Sequence, residues 1–215
     1  MTFAAWLSLL AICILGAMSP GPSLAVVIRN TVSRGRGAGV ITALSHGLGV
    51  GGYALATSLG LASVIAAQQT LFNAITLAGS AYLLWLGASA MRGGNAAVSA
   101  GPVTPDGDQP AASERPGAVM AAARDGFTIA FLNPKIALFF LALFSQFVSS
   151  EASAVEVAIL AGTATVVDAG WYALVAIGLT ATGTTAWLRR HGAWIERITG
   201  GALVFLALST AASTL

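Results

Sequence analysis

Long apolar runs separated by short charged or Gly/Pro-rich breaks dominate this chain. A helix crossing a bilayer needs roughly 20 mostly apolar residues. The runs predict spans over Phe3 to Ile28, Gly39 to Ala66, Leu71 to Met91, Gly126 to Val148, Ser153 to Thr180 and Gly200 to Ser213. The last is short, and starts earlier if Trp194, Glu196 and Arg197 form its interfacial end. The first run, Met1 to Ala17, has the apolar character of a signal peptide. It lacks a positive n-region and continues into Ser19-Pro20-Gly21-Pro22, so it reads as an uncleaved first span.

One long hydrophilic stretch interrupts the pattern. Residues 93–123 are rich in Gly, Pro, Ser, Asp and Glu and read as a flexible cytoplasmic linker. The chain thereby divides into a three-helix half over 1–92, the linker over 93–123 and a second three-helix half over 124–215. With three spans each, related halves enter the membrane upside down relative to one another, as in many secondary transporters. The expected fold is an all-α integral membrane protein of six transmembrane helices, arranged as two inverted halves.

Composition agrees with a lipid solvent. Of 215 residues, 56% are hydrophobic and 8% charged, against roughly 25% charged in soluble domains, and the mean hydropathy is +0.82. No length remains for a soluble enzyme domain. The net charge of +2 and pI near 9.1 come from scattered Arg residues that form no basic face, so nucleic acid is not an expected partner. Cys13 is the only cysteine, which excludes a disulfide framework and a thiolate-rich metal site.

Charge also sets orientation. Arg29, Arg34 and Arg36 lie between the first two spans, Arg92, Arg115 and Arg124 between the third and fourth, and Arg189, Arg190 and Arg197 between the fifth and sixth. The opposite loops carry Gln68, Gln69 and Glu151 and no Lys or Arg. The positive-inside rule makes the Arg-bearing side cytoplasmic and both termini periplasmic, in a multi-pass protein of a bacterial inner membrane. Removing any one span would scatter these charges to both sides.

Three features carry candidate chemistry. Ser19-Pro20-Gly21-Pro22 and Asn133-Pro134-Lys135 each break a helix inside a span. Broken backbone at membrane depth is tolerated where protein or a water-filled cavity satisfies it. A helix resuming after the break offers N–H groups and a positive dipole end, a seat for a carboxylate; a kink used only for packing is the plainer alternative. Both breaks fall roughly 5 Å to the cytoplasmic side of their span midpoints, although strict inversion puts them on opposite sides.

Intramembrane charge is the second feature. Lys135 and Asp168 each cost about 2.5 to 3.5 kcal/mol at a helix centre, so both face the bundle interior, either as a static ion pair or with Asp168 exchanging a proton and Lys135 charging the solute site or a gate. Helical spacing puts Thr165, Asp168 and Tyr172 on one face of the fifth span, and Thr42, His46, Gly49 and Tyr53 on one face of the second. His46 is a second proton-coupling candidate, or a hydrogen-bonded structural residue. Thirdly, Gly47 and Gly51, and Gly52, Ala56 and Gly60, repeat at intervals of four, spacing that lets membrane helices approach closely. Trp6, Trp187 and Trp194 are expected interface anchors.

Ser19-Pro20-Gly21-Pro22, the stretch Arg34 to Gly39, the Gly-rich second span, Gly126-Phe127, the block Asn133-Pro134-Lys135-Ile136-Ala137-Leu138-Phe139-Phe140, Gln146-Phe147 and an acidic residue followed by Trp171 together resemble the LysE/RhtB family of amino-acid exporters. The resemblance covers nearly the whole chain, and the Asn-Pro-Lys block is its most specific part. It implies efflux of amino acids such as lysine, homoserine, threonine or leucine, driven by proton exchange. The expected function is a secondary transporter exporting a small zwitterionic solute by proton antiport. The solute would be held between the halves by Pro20, Gly21, Pro22, Asn133, Pro134 and Lys135, with no cofactor and with a possible homodimer. A metal-ion exporter of the same fold is disfavoured by few Cys and His ligands. An intramembrane hydrolase is disfavoured because the adjacent Ser45 and His46 point roughly 100° apart on a helix.

Overall fold

A computed structural model of the protein describes residues 1–19, 21–92, 117–149, 152–179 and 184–214. Pro20 and residues 93–116 lie outside the described residues. Regular structure among the described residues is helical throughout: α1 (Phe3–Met18), α2 (Pro22–Arg34), α3 (Arg36–Ala67), α4 (Gln69–Met91), α5 (Ala118–Phe131), α6 (Pro134–Phe144), α7 (Ala154–Gly178) and α8 (Thr184–Thr214).

Three of these, α3, α4 and α7, are each long and apolar enough to cross a membrane. The pairs α1 with α2 and α5 with α6 qualify as single bent spans, turning by 60° and 56° at their breaks. The described helices thus give three to five candidate spans where the apolar runs predicted six. The shortfall lies in α8, whose apolar part is only Arg197–Ala212. At 1.5 Å per residue that part covers about 24 Å of a hydrocarbon layer of about 30 Å.

Local chemistry explains the helix ends. Thr2 caps α1 by accepting the Ala5 N–H at 3.2 Å, and Ser153 with Glu156 forms a reciprocal capping box at the start of α7. Pro22 and Pro134 occupy the first positions of α2 and α6, where a missing N–H costs nothing and the ring ends the preceding helix. The fourth apolar run starts earlier than Gly126: after Gly117, at φ 88°, the chain is helical from Ala118. With these bounds the first break is flanked by helices of 16 and 13 residues and the second by helices of 14 and 11.

The bundle is organised around α3. It runs antiparallel to α7, because His46 meets Asp168 and Tyr172 while Gly51, further along α3, meets Thr165. It runs parallel to α5, because Ser45 meets Ala123 and Tyr53 meets Phe131. Small residues set these distances. A Cβ on Gly51 would lie 2.2 Å from Thr165 Oγ1, and one on Gly126 would lie 2.2 Å from the Thr42 carbonyl oxygen. Gly52 and Gly60 face nothing within 4 Å, so only the Gly47 and Gly51 repeat makes a helix contact.

In the same way α4 crosses α8 at Gly87 and Gly200, and meets α6 where Gly79 admits Ala142. Beside α7, α1 is tied by the Met1 ammonium to Glu156 and by Trp6 Nε1 donating to Thr163 Oγ1 at 3.2 Å. Trp6, expected as an interface anchor, is half-buried in the first turns of α1; Trp194 is exposed, and the Trp187 side chain lies outside the described residues. The largest buried cluster gathers Leu9, Leu83, Leu143, Phe144 and Leu160. Leu48, Val166, Leu174 and Phe205 lie exposed on the outside, an apolar surface of the kind lipid covers.

Candidate functional site

A cavity of about 130 Å3 opens where the two breaks approach each other. Its wall takes Gly21, Pro22 and Ser23 from the first break, Asn133 and Lys135 from the second, and His46, Asp168 and Tyr172 from the crossing of α3 and α7. Ser89 and Trp85 of α4 and Thr199 of α8 complete it, so both halves of the chain contribute. An engineered cavity of about 150 Å3 accepts benzene, so this one has room for a solute of a few heavy atoms.

The proline-broken geometry creates this space. α1 ends at Met18, and α2 leaves at 60°, with its N-cap residue Gly21 extended at φ −169° and offering no side-chain cap. At the second break the backbone is already satisfied. Asn133 Oδ1 accepts the Lys135 N–H at 3.0 Å, and the Asn133 carbonyl accepts from Ile136 at 3.0 Å and from Ala137 at 3.3 Å. Tyr53 donates its hydroxyl to the Phe131 carbonyl at 2.6 Å, filling an acceptor left at the end of α5. The expectation of free amides at both breaks therefore fails at α6, because Asn133 consumes them.

Asp168 and His46 form the centre. His46 Nδ1 lies 2.6 Å from Asp168 Oδ2, and the two residues are 1% and 9% exposed. The Tyr172 ring stands edge-on to the imidazole at 4.9 Å. The other imidazole nitrogen, Nε2, makes no hydrogen bond among the described residues. Lys135 supplies a cation to the same wall. The wall thus carries one acidic and one basic side chain beside the N-terminus of α2, whose N-cap residue Gly21 offers no side-chain cap.

Of the sequence-derived site residues, Gly21, Pro22, Asn133, Lys135, His46, Asp168 and Tyr172 share this cavity. Pro20 and the Pro134 side chain lie outside the described residues. Thr42, Tyr53 and Thr165 are absent from the wall. Thr42 accepts from Asn30 at 2.9 Å and shares its one proton between the Ala38 carbonyl at 2.9 Å and the Ala122 carbonyl at 3.2 Å, Tyr53 serves the break, and Thr165 donates to Ala161 while packing on Gly51. Ser45 donates to the Ala123 carbonyl at 2.6 Å, away from His46, so the two make no nucleophile and base pair.

Residues 14–214 match the family described as LysE type translocator. The chain belongs to this family. Among curated relatives, this LysE-type translocator is 33% identical over 133 residues to the uncharacterized membrane protein YahN of Escherichia coli (strain K12), covering 62% of this chain and 56% of that protein. It is 29% identical over 139 residues to the leucine efflux protein of Klebsiella pneumoniae, covering 65% and 61%. It is 28% identical over 191 residues to the threonine efflux protein of Salmonella typhi, covering 87% of each chain. The chain thus spans less than two thirds of the length of the first two relatives. No solved structure matches this LysE-type translocator closely enough to be called similar.

Two parts of the chain's polar architecture escape a reading by spans. Thr199 and Ser89 sit at span ends, where a polar residue looks interfacial, yet both reach the cavity. Asp125 accepts from Arg29 and Arg34 at 3.0 Å each and from Asn30 at 3.3 Å. The available signal was its place beside Arg124, one residue before the apolar run at Gly126.

Proposed function

We propose that the protein exports a small amino acid or closely related solute across a bacterial inner membrane by exchange with protons, using six spans in two inverted three-helix halves. The observation that carries this reading is the Asp168 and His46 pair buried in a cavity walled by two helix breaks. The names of the leucine and threonine efflux relatives support amino acids as the solute class.

The two charged groups divide the work. Asp168 takes the solute ammonium, and Lys135 with the uncapped start of α2 takes its carboxylate. When the solute leaves, Asp168 takes a proton instead, with His46 as the relay, so no bare carboxylate returns through the low-dielectric interior and each return carries one positive charge inward. A proton moving inward through 100 mV releases about 2.3 kcal/mol, which sustains roughly a 40-fold outward gradient of a neutral zwitterion.

The sixth span is α8, which packs along α4. The antiparallel pairing of α3 with α7 and of α4 with α8 supports inversion, since each pairs a helix with its counterpart. So do the two breaks, one nearer the inner end and one nearer the outer end of its bent span.

Efflux of leucine, threonine and homoserine from loaded vesicles, with and without an imposed pH gradient, tests the reading. Wild type should respond to the gradient. Asp168→Asn should bind solute more weakly and lose the response; a variant that still responds as wild type does rejects the coupling role.

A further inference from the structure

A second pocket lies at the far end of the same three helices. It measures about 620 Å3 and forms where α4 begins and where α6 and α8 end, at the opposite end of the bundle from Arg92. Its wall is polar and uncharged, with Gln69, Asn73, Thr76, Ser145, Gln146 and Thr210 among its residues. Such a lining is unexpected in a chain that is 56% hydrophobic.

From this pocket toward the first cavity, α4 carries Thr76 on the pocket wall and Ser80 one turn further along, and both are 3% exposed. Serine and threonine buried in helices ordinarily return their hydroxyl to the carbonyl four residues back, as Ser58, Thr31 and Thr165 do here. Thr76 Oγ1 and Ser80 Oγ have no hydrogen-bond partner among the described residues. Buried hydroxyls left unsatisfied cost stability. Thr76 on the pocket wall and Ser80 one turn deeper start a polar track into an otherwise apolar layer of Leu83, Leu143, Leu203 and Ala207.

That layer is shut by contact rather than by distance. A Cβ on Gly79 would lie 2.9 Å from Ala142 Cα, so α4 and α6 touch at the backbone. Along α6 only the residues between Phe140 and Ser145 part the two spaces, about 8 Å at helical rise.

We propose that the α4, α6 and α8 pocket is the outward station of the transport path. It receives the zwitterionic solute by hydrogen bonds alone, and the Thr76 and Ser80 hydroxyls lead the solute across the layer. This rests on the transport reading above. An uncharged wall suits release, because it binds ammonium and carboxylate groups without the opposite charges that hold them at Asp168 and Lys135.

Two measurements on the full-length protein in cells test it. The first is modification by a membrane-impermeant thiol reagent of Thr76→Cys and Ser80→Cys, with wild type as the blank for Cys13 and Val166→Cys as a lipid-facing control. Thr76→Cys should react about tenfold faster than Val166→Cys, because thiolate forms readily only in contact with water. Ser80→Cys should react faster while solute is flowing than at rest. The second is efflux of leucine, threonine and homoserine. Ser80→Val should lower efflux about tenfold, the loss of one hydrogen bond, at unchanged protein level in the membrane, and Ser80→Thr should restore it.

If wild type exports a tested amino acid while Thr76→Cys is as unreactive as the control, or Ser80→Val transports within twofold of wild type, the outward station is wrong and the transport reading stands. If wild type exports none of the three, the transport reading falls and takes the pocket's solute role with it, whatever the thiol rates.

Discussion

His46 and Asp168 satisfy each other in a place that water barely reaches, so their substitutions have unequal consequences. Asp168→Asn keeps shape and a hydrogen bond to Nδ1, whereas His46→Ala leaves a buried carboxylate without its partner, a loss of about 3 to 5 kcal/mol. We expect His46→Ala to melt well below wild type in detergent and Asp168→Asn to melt close to it, although both lose the response to a pH gradient. Equal melting temperatures would show the pair to be energetically idle. Glycines make a second contrast. Gly126→Ala drives a methyl group to 2.2 Å from the Thr42 carbonyl oxygen, backbone against backbone, and should cost about 2 kcal/mol or more. Gly52→Ala meets nothing within 4 Å and should be neutral or gain up to about 1 kcal/mol from helix propensity. Thermal melts of both variants decide it, and equal melts would mean that the crossing of α3 and α5 is looser than its geometry.

Helices, rather than single residues, explain what was legible in the sequence. Both breaks were readable because proline acts on its own backbone, whatever surrounds it. The polar faces of α3 and α7 were readable for the same local reason, but their use was not. A stripe runs the length of a helix, while the cavity occupies one or two turns of it. Beyond those turns the same face packs on a neighbour, which is where Thr42, Thr165 and Tyr53 went. The start of α5 was hidden by the linker's composition, although Gly117 followed by Ala118 to Ala123 carries a helix-start signal. That extension brings Asp125 into a charged junction joining α2 to α5. Surface ion pairs are worth about 0 to 1 kcal/mol each and are screened by salt. Asp125→Asn, which removes two at once, should therefore lower stability by about 1 kcal/mol at low ionic strength, with the gap to wild type closing in high salt. A gap indifferent to salt would mean that Asp125 acts through Asn30 packing instead.

At the scale of the whole molecule, the charges at the two ends of the bundle decide which way the cavity faces, and α8 decides between five crossings and six. The Met1 ammonium meets Glu156 at one end of the bundle, and Arg29 and Arg34 meet Asp125 at the other. If Arg-bearing ends stay in the cytoplasm, the cavity, walled by the last turns of α1 and α4, lies on the inner side of the Leu83 and Phe144 core. The protein would then be caught open inward and sealed outward, the state in which an exporter loads. Whether α8 completes a sixth crossing is a separate matter, because its apolar part is short and its charged start carries Arg189 and Arg190. Antiparallel packing on α4 through Gly87 and Gly200 gives α8 the company that makes a short crossing affordable, since a stretch below the bilayer thickness is accommodated at fractions of a kcal/mol per Å. Reporter fusions separate the cases. A fluorescent protein inserted at residue 108 should light up in the cytoplasm, and a phosphatase active only in the periplasm should be active when fused after Leu215. Phosphatase silence at Leu215, together with cytoplasmic fluorescence there, would leave five crossings. The halves would then no longer be inverted equivalents, and the pairing of α4 with α8 would need another cause.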